Sequence, residues 1–135
     1  MAEAERSKLA GLMPFAALVG VELVSESAEA VVAELAWSEE RCTALGVLHG
    51  GALMALADTL GGYCAMLNLP EGAGGTTTIE SKTNFLRAVR SGVVTATARP
   101  LHRGRTVIVV DTELRDGEGR LVARTTQTQA VLAAR

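Results

Sequence analysis

Aromatic side chains are scarce: one Trp, one Tyr and two Phe make up 3% of 135 residues, and the formal net charge is −2. The chain offers neither stacking platforms nor a basic footprint, so nucleic acid is excluded as an expected partner. The two cysteines, Cys42 and Cys64, form no CxxC pair and have only His49 and His102 to accompany them. No zinc spacing can be read, no metal is expected, and the thiols are taken as reduced. The N-terminal stretch "MAEAERSKLAGLM" lacks the positive start and apolar middle of a secretory signal, which points to the cytoplasm. The one long apolar run, residues 46–67, is short for a bilayer span and carries an acid at its centre, so a buried helix is expected and no membrane partner. A GxSxG elbow and a Walker A loop are also missing, and "GAGG" at 72–75 is no dinucleotide loop.

What is present fits one globular domain over 1–135, with 48% hydrophobic and 21% charged residues and no repeat. A short N-terminal helical arm is expected within 1–20, interrupted near Pro14. "AVVAELAW" at 30–37 alternates, with Val31, Ala33, Leu35 and Trp37 on one face, and reads as a half-buried strand after the apolar run Val21–Val24. A single long helix begins at Gly50 or Gly51 and ends before "LPEGAGG". Four strand-like runs follow at 76–86, 93–102, 105–115 and 120–132, and consecutive hairpins are implied. Two strands, one helix and four strands without βαβ alternation give an α+β fold, the helix lying on one face of an antiparallel sheet. In the last run Val122 and Leu132 lie on one side and Leu121 and Val131 on the other. Two mixed faces there predict contact with another subunit, hence a homo-oligomer.

Inside the helix, "GVLHGGALMALADTLGGYCAML" contains one charged residue, Asp58. An aspartate in a buried helix is costly unless partnered, and perturbed acids gather at functional sites. Its same-face neighbours, among them Gly51, Met54, Gly61 and Gly62, are mostly small and leave room for a ligand. "HGG" at 49–51 supplies free N–H groups at a helix N-terminus, where an oxyanion can be held. Gly50 and Asp58 are eight residues apart, about 12 Å along the helix. One carbonyl cannot meet both in one chain, so a shared reaction places Asp58 of one subunit against the Gly50 or Gly51 N–H of another.

"GVLHGGALMALADT", together with "TTTIESKTNFLRAVRSGVVTATARPLHRGRTVIVVDTELRDGEGRLVARTTQTQAVL", resembles the hotdog-fold acyl-CoA thioesterases of the phenylacetate-pathway (PaaI-like) and hydroxybenzoyl-CoA type, from about residue 12 to 132. The resemblance implies a curved antiparallel sheet of about six strands wrapped around one long central helix, in a dimer or tetramer. It implies that the Gly50 N–H, with His49 before it, polarises the thioester carbonyl and that Asp58 of the other subunit is the nucleophile or the general base for water. Where many relatives carry Asn or Gln six residues before the histidine, this chain has Thr43. Where some place a hydroxyl one turn after the acid, it has Gly62. Thr78 falls where a relative has an active-site serine.

Residues 81–110 contain Lys82, Arg87, Arg90, Arg99, Arg103 and Arg105 and no acid, six of the 13 basic residues. Coenzyme A is a polyanion, and arginine forks and turn N–H groups suit its phosphates. Arg87, Arg90 and the turn Arg103, Gly104, Arg105, Thr106 are therefore candidates for substrate binding, with Gly51, Gly62 and Thr78. Coenzyme A enters as part of the substrate, and no separate cofactor is expected. A non-catalytic acyl-CoA-binding protein is the alternative, and a Cys42–His49 hydrolase is a second. The acyl group, and whether the thiol belongs to CoA or a carrier protein, are left open.

Overall fold

The structure, a computed structural model, describes residue 9 and residues 11–135. Part of the expected helical arm, residues 1–8 and 10, lies outside the described residues. The rest of the arm ends in helix α1 (Pro14–Val19), opened by proline at its first position and closed by Gly20 at φ +98°. Strands β1 (Glu22–Glu26) and β2 (Val31–Ala36) follow, then the central helix α2 (Gly50–Met66) and strands β3 (Ala73–Phe85), β4 (Val93–Arg103), β5 (Val107–Arg115) and β6 (Leu121–Ala133). The six strands make one antiparallel sheet in the order β1-β2-β4-β5-β6-β3. Helix α2 touches every strand from β2 to β6, so the sheet curls around it.

Alternation builds the inner face. Val31, Ala33 and Leu35 of β2, Val94, Ala96 and Ala98 of β4, and Ile108, Val110 and Leu114 of β5 are fully buried, opposite Leu53, Leu56, Ala57, Leu60 and Cys64 of α2. Trp37, expected on the same face, is only partly buried at the end of β2. Truncating Leu56 or Leu60 to alanine would cost about 2–5 kcal/mol, the usual range for a core leucine.

One expectation fails at the level of strand order. The run 76–86 forms no hairpin with 93–102: β3 crosses the molecule to pair with β6, in register Thr83↔Thr125 and Ser81↔Gln127. The β4–β5 and β5–β6 hairpins do form. Strand β6 lies inside the sheet, between β5 and β3. Beyond Val122 it alternates, with Ala123, Thr125, Gln127 and Gln129 buried and Arg124 and Thr126 exposed. The sheet's edges are β1 and β3, and β3 is thirteen residues long and exposed along most of its length, with Ile79 63% and Phe85 50% accessible. Among the described residues no strand pairs with its outer edge.

Candidate active site

The site begins with how α2 starts. His49, in extended backbone (φ −62°, ψ 132°), is the N-cap. Its Nδ1 accepts the Gly51 N–H at 2.7 Å, and its carbonyl accepts from Ala52 and Leu53. Because Nδ1 is an acceptor, the ring's proton belongs on Nε2. The imidazole thus does the work more often given to Ser or Asp at a helix N-terminus. The Gly51 N–H, an expected binding group, is already engaged by the cap. The Gly50 N–H is an orphan of the first turn and donates to no described residue.

Gly50 opens into a cleft of about 400 Å³ whose walls include Thr43, Leu53, Phe85, Arg87 and Val89. A side chain at Gly50 would meet the Phe85 ring at 3.2 Å, so the ring packs over the helix start. Thr43, exposed, shares this cleft, its own N–H tied to the Val47 carbonyl at 2.8 Å. Sequence reasoning missed Phe85; its signal was that it is one of only two phenylalanines, at the inward end of a polar strand.

Asp58 departs from expectation. The quoted helix suggested a buried acid, but in the single chain Asp58 is exposed. It belongs to a strip of α2 that the sheet does not cover: Gly51, Met54, Asp58 and Met66 are exposed, with Ala55, Thr59 and Gly62 partly so. The spacing is helical, but the strip is made of small and apolar residues, so it carries none of the polarity that marks a solvated face. Asp58 has no hydrogen-bond partner among the described residues. Next to it Gly62 faces open space, a Cβ there meeting nothing within 4 Å. Thr78 lies in β3 with its hydroxyl accepting from Gln129 Nε2 at 2.7 Å.

The basic run divides. Arg87 and Arg90 lie in the β3–β4 connection at the Gly50 end of the helix, where Arg87 lines the cleft and Arg90 Nη1 donates to the Leu45 carbonyl at 3.4 Å. The turn Arg103–Thr106 lies at the opposite end. Arg103 Nη2 donates to the Ala28 carbonyl at 3.4 Å, which also accepts from Asn68 beyond the helix C-terminus, and Arg105 and Thr106 border Pro70 and Glu71. Gly104 is needed there, since a Cβ would fall 2.6 Å from the Val107 carbonyl oxygen. Within one chain these arginines are not one patch. The Cys42–His49 alternative also loses its geometry: the Cys42 thiol donates to the Ser38 carbonyl at 3.3 Å while the imidazole caps the helix. Burial pushes the Cys64 thiol up to about 11, with the charge of Arg103 opposing. Among the described residues no group of three metal-ligating side chains occurs, and no helix is long and apolar enough to cross a membrane.

A curled six-stranded antiparallel sheet around one central helix defines the hotdog class of fold. Comparison with known proteins gives the family. The thioesterase superfamily model matches residues 45–123. A protein of Vibrio cholerae is 43% identical over 91 residues, covering 67% of this chain and 60% of that protein's length. ComA2 of Bacillus subtilis is 34% identical over 114 residues, 84% of this chain and 90% of that one. The crystal structure of a thioesterase from Haemophilus influenzae superposes with a TM-score of 0.87 at 31% identity, covering 95% of this chain and 90% of that chain. The chain belongs to the thioesterase superfamily and is a thioester hydrolase.

Proposed function

We propose that the protein hydrolyses aryl- or medium-chain acyl-CoA thioesters to the free acid and CoA at a site shared by two subunits. The observation that carries this is the division of one helix into an unoccupied N–H at Gly50, inside a cleft, and a carboxylate at Asp58 on an uncovered strip. In a two-fold pair with the α2 helices side by side and antiparallel, each Gly50 lies level with Asp58 of the partner subunit. The uncovered strips then face one another and the open β3 edges can pair, which makes the dimer the minimal active unit; a tetramer of such dimers is the assembly we expect.

The thioester carbonyl lies against the Gly50 N–H, where the helix terminus favours the negative charge that develops on oxygen. The carboxylate of Asp58 of the partner subunit either attacks the carbonyl carbon or takes a proton from the attacking water. In both routes the C–S bond breaks, CoA leaves as the thiolate and is protonated, and the acyl group ends as a carboxylic acid. The first route passes through an acyl-aspartyl anhydride that water then opens; the second needs no covalent intermediate. Thr43 is placed to hydrogen-bond at the thioester, more weakly than a longer amide would. Neither route needs a metal or cofactor, and activity should survive a chelator.

The same pairing brings the two halves of the basic run together. If Gly50 is level with Asp58 of the partner subunit, that partner's helix extends a further eight residues, about 12 Å, past the Gly50 turn. Its Arg103–Thr106 turn then lies on the same side as Arg87 and Arg90, a spread that suits the several phosphates of CoA. The reading is tested by Asp58→Asn, assayed for free thiol release from benzoyl-, phenylacetyl- and octanoyl-CoA. We expect kcat to fall by about two orders of magnitude or more with KM little changed. Binding of these esters by the native protein without turnover would favour a non-catalytic acyl-CoA-binding protein.

A further inference from the structure

Residues 37–49 must deliver Gly50 to the cleft with little regular structure: two single 3-10 turns, Glu39–Arg41 and Ala44–Gly46, and one isolated bridge between Cys42 and Leu48. One side chain, Arg41, ties the start of this segment to α1 and β2. Arg41 Nε donates to the Val19 carbonyl at the end of α1 at 2.6 Å; Nη1 donates to the Ala36 carbonyl at the end of β2 at 2.9 Å and to Ser38 Oγ at 3.3 Å. Every acceptor is neutral, and Arg41 makes no ion pair among the described residues. Gly20 makes room for the fork: a Cβ there would lie 2.0 Å from Nη2. The backbone of the same residue holds the other half of the linkage. The Arg41 carbonyl accepts the His49 N–H at 2.8 Å, and His49 caps the turn that begins with Gly50. The far arm of the segment is held as firmly, with Leu45 in the left-handed region (φ +64°) and the Trp37 indole donating to the Gly46 carbonyl at 3.0 Å. A non-glycine residue kept in that conformation marks a segment whose shape is imposed by its contacts.

We propose that Arg41 is a positioning residue for thioester hydrolysis: its guanidinium fixes the carbonyl that seats His49, and through His49 it sets where the Gly50 N–H points. The proposal rests on the reading that Gly50 donates to the thioester carbonyl. A lysine keeps the charge but cannot span three acceptors with a planar fork, so the geometry and not the charge is what counts.

The test uses Arg41→Met and Arg41→Lys in the full chain, with two readouts. Amide hydrogen exchange comes first: the His49 amide, protected in the native protein, should exchange at least about tenfold faster in both variants, while the Leu56 and Leu60 amides keep their protection. For the aryl- and octanoyl-CoA esters above, kcat should fall about ten- to a hundredfold, the scale of an ångström of misplacement, with KM within about twofold. Binding of an S-octyl-CoA thioether, which has no carbonyl, should be unchanged. Native protection of His49 in both variants overturns the link whatever the activity. Faster exchange along all of α2 overturns it in favour of general loosening. A freed His49 amide with native kcat overturns the role in hydrolysis. If Gly50→Pro, which removes the N–H itself, is then also fully active, the oxyanion reading falls with it, whereas an inactive Gly50→Pro confines the failure to Arg41.

Discussion

Under the proposed function Gly50 and Asp58 make opposite demands on one helix, the first for a bare amide and the second for a charge covered by a partner subunit. Gly50 can be tested without disturbing the fold, because proline is tolerated at the first helical position and His49 before it is already extended. Gly50→Ala and Gly50→Pro both bring a Cβ to about the same distance from Phe85, yet only the second lacks the N–H. Thioester hydrolysis should be cut by about 10²–10³ in Gly50→Pro, the scale for one oxyanion donor, and much less in Gly50→Ala; equal losses would put the effect on crowding. Gly61, in the second half of α2, is glycine for packing. A Cβ there would fall 1.7 Å from Gln127 Oε1, and Gln127 is fully buried, its amide without a hydrogen-bond partner among the described residues. Gly61→Ala should therefore cost about 1–3 kcal/mol, seen as a lower Tm, and the cost should largely vanish when measured in a Gln127→Ala background. Cys64 supplies a pH-linked expectation. A thiol whose value rises from 9.0 to about 11 on folding stabilises the protein fully below 9 and loses that contribution as pH climbs toward 11. Thermal unfolding of Cys64→Ala against the native chain between pH 8 and 11 should show the difference narrowing with pH; a constant difference would contradict it.

At the scale of elements, what the sequence made legible was local. The helix bounds, the β2 pattern and the four later strands follow from alternation, glycine and proline, and each appears within a few residues of expectation. Strand order was not legible, because the pattern of 76–86 says which residues form β3 but nothing about whether it pairs with β4 or β6. The exposed strip of α2 was hidden for a related reason: Met54, Ala55 and Gly62 look like core by composition, and only the curl of the sheet shows which side is left open. The arginine cluster misled because β4 is eleven residues of extended chain, about 35 Å, so neighbours in sequence at its two ends are far apart in space. Arg41 and Gln127 gave no signal at all, since each acts through contacts distant in sequence. The uncovered strip carries its own prediction. Met54→Glu places a charge on it where the partner should pack, so sedimentation should show a shift to monomer with loss of activity, while circular dichroism stays native. A native assembly in that variant would move the interface elsewhere.

For the whole molecule, the proposed function means that neither subunit completes a site alone, and that the two halves of the basic run serve one substrate from different chains. Replacing Arg103 and Arg105 by alanine should raise KM for CoA esters more than for short thioesters lacking the nucleotide; equal loss on both would remove the phosphate role. The central claim is the division of Gly50 and Asp58 between subunits, and subunit mixing tests it directly. Asp58→Asn and Gly50→Pro, each inactive, are combined and allowed to exchange, with heterodimers counted by native mass. In each heterodimer one site carries both lesions and the other carries neither, so about half of native activity per heterodimer should return. Full exchange with no recovered hydrolysis would contradict a site shared across the interface.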